Sequence, residues 1–161
     1  NEEREEFLHF IEPTYAKVPD RLFYIPKESK VNIDKYDDLY KLDAIGLERG
    51  SILFPRFDQD EKLRIIEVNR GDQLIRMLDR NRMNAAVGDE LVMDYTIKQL
   101  GFRFKFRKSN FRYASDKRAY LAISKQSPHI HRLKDIGDIL NRMLKADKIQ
   151  NIINKYTVVG H

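Results

Sequence analysis

The sequence contains no cysteine and no run of apolar residues long enough to span a membrane. The missing cysteine excludes disulfide bonds and thiolate metal sites, although it does not fix the cellular compartment. A membrane-spanning helix needs about 18 consecutive apolar residues, and no stretch of the chain approaches that length. The chain begins at Asn1 without a signal peptide, so we expect any export signal to have been removed or left out.

Signatures of nucleotide binding and catalysis are also missing. The sequence has neither a GxGxxG motif nor a P-loop, and no serine stands in a nucleophile elbow. Asp89 and Glu90 are adjacent, so their side chains diverge and do not form a carboxylate dyad. His129 and His131 form the only close histidine pair, and residues two apart at the start of a helix do not share a face. We therefore predict a protein without enzymatic activity, metal site or cofactor.

The composition indicates a folded protein with a mildly basic surface. With 161 residues, of which 42% are hydrophobic, the chain suits one domain or one large and one partial domain. Its 30 basic and 25 acidic residues give a net charge of +5. A basic protein can bind nucleic acid or an anionic surface, but intermixed charge of this kind is more typical of a solvated surface.

Residues 44–101 alternate three times between a predicted strand and a predicted helix. The strands cover residues 44–48, 63–68 and 84–87, and the helices begin at Ser51, Asp72 and Glu90. Such alternation predicts an α/β fold with a mainly parallel sheet and helices on both faces. The pattern outside this region predicts helices at 2–11, 128–144 and 148–156, and strands at 21–25 and 120–123.

The segment FRFKFRKSNFRY, residues 102–113, alternates aromatic and basic residues. One interpretation is a stacking platform for single-stranded nucleic acid. Strict alternation over 102–106 instead favours an edge strand with a buried phenylalanine face and a solvated basic face.

Two polar residues follow predicted strands, where ligands bind in open α/β sheets. Asp89 stands where a strand passes into a helix, so it can pair with a ligand cation or cap the helix by accepting a backbone N–H. Ser51 follows another strand and is predicted to open a helix, so it can cap that helix or help its N–H groups bind an anion. The residue pattern alone leaves both alternatives open.

Four segments, in this order, resemble the extracellular solute-binding proteins of family 3, the amino-acid-binding class of periplasmic receptors. They are NEEREEFLHFIEPTY (1–15), KYDDLYKLDAIGLERGS (35–51), LIRMLDRNRMNAAVGDE (74–90) and AYLAISKQSPHIHRLKDIGDILNRMLKADKIQNIINKY (119–156). The resemblance implies a type II periplasmic-binding-protein fold, in which two α/β lobes joined by two crossing strands close over a small ligand. Residues 27–117 would form the complete second lobe. Residues 1–26 and 118–161 would supply the crossing strands and parts of lobe one.

The resemblance also implies roles for five residues around an amino acid. Arg4 corresponds to the arginine that clamps the ligand α-carboxylate, and Ser51 with the N–H of Ile52 corresponds to the helix start that meets the same group. Asp89 corresponds to the partner of the α-amino group. Glu48 corresponds to a position that often touches the ligand side chain, which favours a basic or polar ligand.

The chain also departs from the family pattern. Asn1 replaces a threonine, Ile52 offers only its backbone, and the first half of lobe one with its aromatic cradle has no counterpart. We therefore expect self-association, or a non-native docking of the C-terminal helices, because their apolar faces lack a sheet.

The leading hypothesis is a periplasmic or extracellular receptor that captures an amino acid for the permease of an ABC importer. The alternatives are the sensory module of a signalling protein and a nucleic-acid-binding domain that uses residues 102–113.

Overall fold

The computed structural model describes residues 2–157, except for the side chains of Glu2, Glu3 and Thr157. Asn1 and residues 158–161, which the resemblance places at the two ends of lobe one, lie outside this range. The strands are β1 (Leu8–Lys17), β2 (Arg21–Pro26), β3 (Ile45–Glu48), β4 (Ile65–Val68), β5 (Ala85–Asp89), β6 (Phe106–Tyr113) and β7 (Arg118–Ser124). The helices are α1 (Glu2–Glu5), α2 (Pro55–Asp58), α3 (Gly71–Asp79), α4 (Glu90–Gln99), α5 (Leu133–Lys145) and α6 (Lys148–Thr157), with 3-10 turns at Tyr36–Lys41 and Ile130–Arg132.

The described chain divides into two compact units. One comprises residues 19–114, and the other comprises residues 2–18 together with 115–156. The larger unit contains a five-stranded sheet in the order β4-β3-β5-β2-β6. Strands β4, β3 and β5 are parallel, whereas β2 runs antiparallel to both β5 and β6. The sheet is thus mixed and flanked by helices, which confirms the predicted α/β fold class.

Two apolar layers cover the faces of this sheet. Helices α3 and α4 bury Leu74, Ile75 and Ile97 against one face. This packing follows from the sequence, because the apolar residues of α3 recur at helical spacing. Phe54, Phe57 and the aromatic ring of Phe111 fill the opposite face together with the 3-10 turn at Tyr36–Lys41. The sheet is therefore held from both sides, and its strand ends are fixed relative to one another.

The smaller unit pairs β1 with β7 in an antiparallel two-stranded sheet, against which α5 packs. Its buried apolar residues are few, with Ile11 and Leu140 among them. Several large apolar side chains of this unit are instead exposed: Phe7, Tyr120, Leu121, Ile139, Ile152 and Tyr156.

Four local predictions were wrong. Residues 2–11 do not form one helix, because α1 ends at Glu5 and β1 then runs from Leu8 through Pro13 to Lys17. An edge strand is present, but it is Phe106–Tyr113, and residues 102–105 form turns. The predicted helix at 128–144 begins as a 3-10 turn and becomes α-helical only at Leu133.

The fourth error concerns the segment after β3. Ser51 does not open a helix, because α2 begins at Pro55 and Phe54 is its extended N-cap residue. The proline explains the late start, since it disfavours helical geometry in the preceding residue and fits the first helical position. Gly50 adopts a φ of 78° and forms a turn in which the Ser51 N–H donates to the Glu48 carbonyl oxygen at 3.0 Å.

Asp38 fixes the first loop of the larger unit and gives it a pH dependence. Its carboxylate accepts from Lys41 Nζ at 2.7 Å and from the backbone N–H groups of Asp34 and Lys35 at 3.0 and 3.1 Å. These bonds, chiefly the one from Lys41, lower the pKa of Asp38 to about 2.

A carboxyl with a lowered folded-state pKa stabilises the protein above its ordinary pKa, and this contribution is lost as the pH falls toward the folded value. We therefore expect the melting temperature of the wild type to fall between about pH 4 and pH 2 more steeply than that of Asp38→Asn. Thermal melts followed by circular dichroism measure this. Parallel pH profiles for the two proteins would contradict it.

Candidate ligand-binding rim

The ends of five strands meet along one edge of the large sheet. Because β3, β4 and β5 are parallel, Glu48, Val68 and Asp89 end their strands on the same side. Arg21 starts β2 opposite Asp89, and Tyr113 ends β6 opposite Arg21. We call this edge, defined by these five residues, the strand-end rim. It is the edge at which open α/β sheets bind ligands.

Asp89 lies at the centre of the rim and already has protein partners. Its Oδ1 accepts from the N–H groups of Leu91 and Val92 at 3.1 and 3.4 Å, so it caps α4. Its Oδ2 accepts from Arg21 Nη1 at 2.8 Å. The side chain is still 26% exposed. The capping role proposed from the sequence is thus present, and one face of the carboxylate still meets solvent.

Glu48 lies beside the start of another helix. Gly71 is the first residue of α3, and Glu48 packs closely against it. A side-chain Cβ at this position would lie only 3.3 Å from Glu48 Oε2 and 3.8 Å from Thr96 Oγ1. The carboxylate therefore faces the first turn of α3, where the unpaired N–H groups carry partial positive charge. The two helices that start at the rim, α3 and α4, are consequently each approached by an acidic side chain of the protein itself.

Ser51 and Ile52 lie on the loop between β3 and α2, after the turn at Gly50. Both residues are exposed, and Ile52 retains 81% of its accessible surface. The helix start that was expected to bind a ligand carboxylate is absent here. Any contribution of this loop to anion binding must come from the Ser51 hydroxyl and individual backbone N–H groups.

Aromatic rings form one wall of the rim. Phe54, which precedes α2, stacks on Tyr113 with ring centroids 4.4 Å apart and planes 8° from parallel. Neither residue was predicted as part of the site. Their pairing depends on the register of β6 and on the extended segment before Pro55, which residue patterns do not encode.

A partly buried ionic cluster holds α4, and therefore Asp89, against the sheet. Asp94 accepts from the Tyr24 hydroxyl at 2.6 Å and from Lys108 Nζ at 2.7 Å, and Lys108 also donates to Glu90 at 2.8 Å. Burial first, and the Asp94 charge second, raise the pKa of Tyr24, so its hydroxyl remains a donor. This polar cluster was not predicted, because Lys108 belongs to the basic segment that was read as a solvated face.

The basic segment at 102–113 is largely paired within the protein. Lys105 contacts Asp79 at 2.7 Å, and Arg112 contacts Asp20 at 3.5 Å. Arg107 donates to the Val31 carbonyl oxygen and to Asn32 Oδ1. Because these cations already have partners, the geometry gives no support to a nucleic-acid platform on this strand.

Arg4, the predicted carboxylate clamp, lies in α1 of the smaller unit and is exposed. Among the side chains that the structure describes, no group of three or more acidic or histidine residues could hold a metal ion. Within the same range, no helix combines the length and hydropathy needed to cross a bilayer.

Solved structures with the same arrangement include a substrate-binding protein of an amino-acid ABC transporter. AbpA of Streptococcus pneumoniae bound to L-arginine matches with a TM-score of 0.72 and 14% identity, over 100% of this chain and 66% of that one. Substrate-binding domain 2 of Lactococcus lactis GlnP, in an open conformation, matches with a TM-score of 0.70 and 20% identity, over 100% and 67%. ArgBP of T. maritima, as the P235GK mutant, matches with a TM-score of 0.68 and 18% identity, over 97% and 64%.

Neither a protein-family model nor a curated protein sequence matches the chain. The chain spans about two thirds of the length of the solved structures. At these identities the likeness concerns the fold, and it agrees with the resemblance drawn from the four sequence segments. The chain therefore has the fold of the substrate-binding domains of amino-acid ABC transporters.

Proposed function

We propose that the chain is a ligand-binding part of an amino-acid receptor that delivers its ligand to an ABC importer in the periplasm or outside the cell. The observation that supports this most strongly is the partly exposed carboxylate of Asp89, which lies at the strand-end rim of a fold shared with an amino-acid-binding protein. The mechanism is capture without covalent chemistry, with lobe closure as the conformational step that the resemblance implies.

Asp89 is the proposed partner of the ligand α-amino group. Its Oδ1 is used by the helix cap, so the amine would approach Oδ2, which has a second lone pair beside the bond from Arg21. A charged hydrogen bond of this kind contributes about 1.5–3 kcal/mol. Glu48 lies on the same rim and would favour a ligand with a basic or polar side chain.

The ligand carboxylate needs donors, and three residues remain proposed for it. Arg4 supplies a guanidinium suited to bidentate binding of a carboxylate. Ser51 and the N–H of Ile52 supply loop donors, although they lack the help of a helix terminus. These assignments remain predictions from the resemblance.

A screen of amino acids by thermal shift, followed by calorimetry, tests the function. We expect stabilisation by at least one free amino acid and none by its N-acetylated form, because acetylation removes the cationic amine. Failure of every free amino acid to bind would rule out the amino-acid assignment. Stabilisation of equal size by both forms would rule out the role of Asp89.

Arg21 provides a further test, because its guanidinium competes with the ligand amine for Asp89. At a separation of about 4 Å near a protein surface, two like charges repel by a few kcal/mol before screening. We expect Arg21→Gln to tighten amino-acid binding by roughly tenfold, since about 1.4 kcal/mol corresponds to that factor. Calorimetry on the variant measures the change.

Arg112→Gln is the matched control for Arg21→Gln. Arg112 also pairs with an aspartate, because its Nη1 lies 3.5 Å from Oδ2 of Asp20, the residue before β2. We expect its affinity to equal that of the wild type. Weaker binding by Arg21→Gln alone would instead mean that Arg21 holds the ligand carboxylate.

The permease and a second copy of the chain are the proposed protein partners. Self-association is supported by the exposed apolar side chains of the smaller unit, such as Ile139 and Ile152. Sedimentation velocity over a range of concentrations tests it, and a monomer at every concentration would refute it.

A further inference from the structure

Four arginines line a shallow groove along the outer side of α3. Arg76 and Arg80 are one helical turn apart and therefore share a face. Arg70 precedes the helix as its N-cap residue, and Arg82 follows its end. The groove is completed by Asp72, Gln73 and Met77. We call this surface the α3 arginine groove.

The backbone turn after α3 places Arg82 in the groove. Asn81 adopts a φ of 54°, which ends the helix and reverses the chain. The N–H of Arg82 then donates to the Met77 carbonyl oxygen at 3.0 Å. The position of Arg82 is thus fixed by the fold.

Three of the four guanidiniums have no acidic partner among the side chains that the structure describes, those of residues 4–156. Arg70 forms a two-point ion pair with Asp72, with both contacts at 2.9 Å, whereas Arg76, Arg80 and Arg82 form no ion pair in that range. One Asp72 carboxylate against four arginines leaves a local charge of about +3.

The helix terminus does not account for these cations. Arginines near the last turn of a helix can cap its free carbonyl groups. Here three of the last carbonyl oxygens already accept backbone N–H groups. The donors are Arg80 to Arg76, Arg82 to Met77, and Asn81 to Leu78. The guanidiniums are therefore available for an external anion.

We propose that the α3 arginine groove binds the phosphate groups of anionic phospholipids at a membrane surface. Guanidinium groups match phosphate oxygens by paired hydrogen bonds. The groove runs from Arg70 to Arg80, a helical distance of about 15 Å. One free phosphate would contact only part of such a row, whereas neighbouring headgroups can each meet one exposed guanidinium. This inference does not depend on the proposed amino-acid site.

The experiment compares binding of the chain to vesicles of phosphatidylglycerol mixed with phosphatidylcholine and to vesicles of phosphatidylcholine alone. The test variant is Arg76→Gln/Arg80→Gln/Arg82→Gln. The control variant Lys27→Gln/Lys30→Gln/Lys62→Gln removes the same charge from exposed lysines of the same unit. Circular dichroism checks that both variants fold, and the single variant Arg80→Gln provides a milder change.

We expect co-sedimentation with the anionic vesicles only. The arginine variant should bind about a hundredfold more weakly, and the lysine variant should lose much less. Binding should also weaken as salt is added. Equal losses in the two variants, or no binding to anionic vesicles, would overturn the proposal. So would saturable binding of inorganic phosphate or of a single-stranded oligonucleotide to the groove without vesicle binding.

Discussion

Replacing Asp94 with alanine is expected to lower the free energy of unfolding by about 3 kcal/mol. The Asp94 side chain is 7% exposed, and its two oxygens accept from the Tyr24 hydroxyl and from Lys108 Nζ. The substitution would leave a hydroxyl and an ammonium group without this partner between β2, β6 and α4. Each lost bond is a hydrogen bond to a buried charged group, which contributes about 1.5–3 kcal/mol, more than an exposed ion pair.

Glu90→Ala is the matched control, because Glu90 is the other carboxylate that contacts Lys108, at 2.8 Å. Its side chain is 26% exposed, so we expect a loss of about 1 kcal/mol or less. Urea denaturation of the wild type and both variants measures the three free energies. Similar losses for the two variants would show that Asp94 is not the centre of this cluster.

The second large effect is expected for ligand binding in Asp89→Asn. Asparagine is as good an N-cap residue as aspartate, so Oδ1 can still accept the N–H groups that start α4. The negative charge opposite the ligand amine is lost, however. We expect binding of a free amino acid to weaken by between about ten- and a hundredfold.

Asp79→Asn controls for the general loss of a paired carboxylate. Asp79 is 25% exposed and pairs with Lys105 at 2.7 Å, but it lies at the end of α3, away from the strand-end rim. Calorimetry should give wild-type affinity for this variant. An Asp89→Asn variant that binds as tightly as the wild type would remove Asp89 from the site.

The parallel part of the fold could be predicted because its signals are local and repeated. Each of the three strand–helix pairs has a short apolar run followed by apolar residues at helical spacing, as at β5 and α4. Parallel strands then bring their ends to one edge without any further information. That is why the positions of Glu48 and Asp89 on one rim could be anticipated.

The antiparallel part of the site could not be predicted in the same way. The Arg21–Asp89 ion pair depends on the register between β2 and β5, and their residues are far apart in the sequence. The same holds for Tyr113, which meets Phe54 only because β6 lies beside β2.

Local competition explains the remaining errors. Residues 2–11 contain apolar positions that fit a helix, but pairing with β7 makes residues 8–11 extended. After Gly50, the turn and the restriction imposed by Pro55 delay α2 by several residues. In both places the outcome was decided by strand pairing or backbone geometry, which outweighed helical periodicity.

An NMR titration of the amide groups that Asp89 holds tests the central claim most directly. The ¹H–¹⁵N resonances of Leu91 and Val92 report on its Oδ1, and a ligand amine on Oδ2 would perturb them. We predict that these two amides shift with a free amino acid, such as L-arginine, and do not shift with its N-acetylated form. Identical shifts with both compounds, or shifts confined to other parts of the chain, would contradict the assignment.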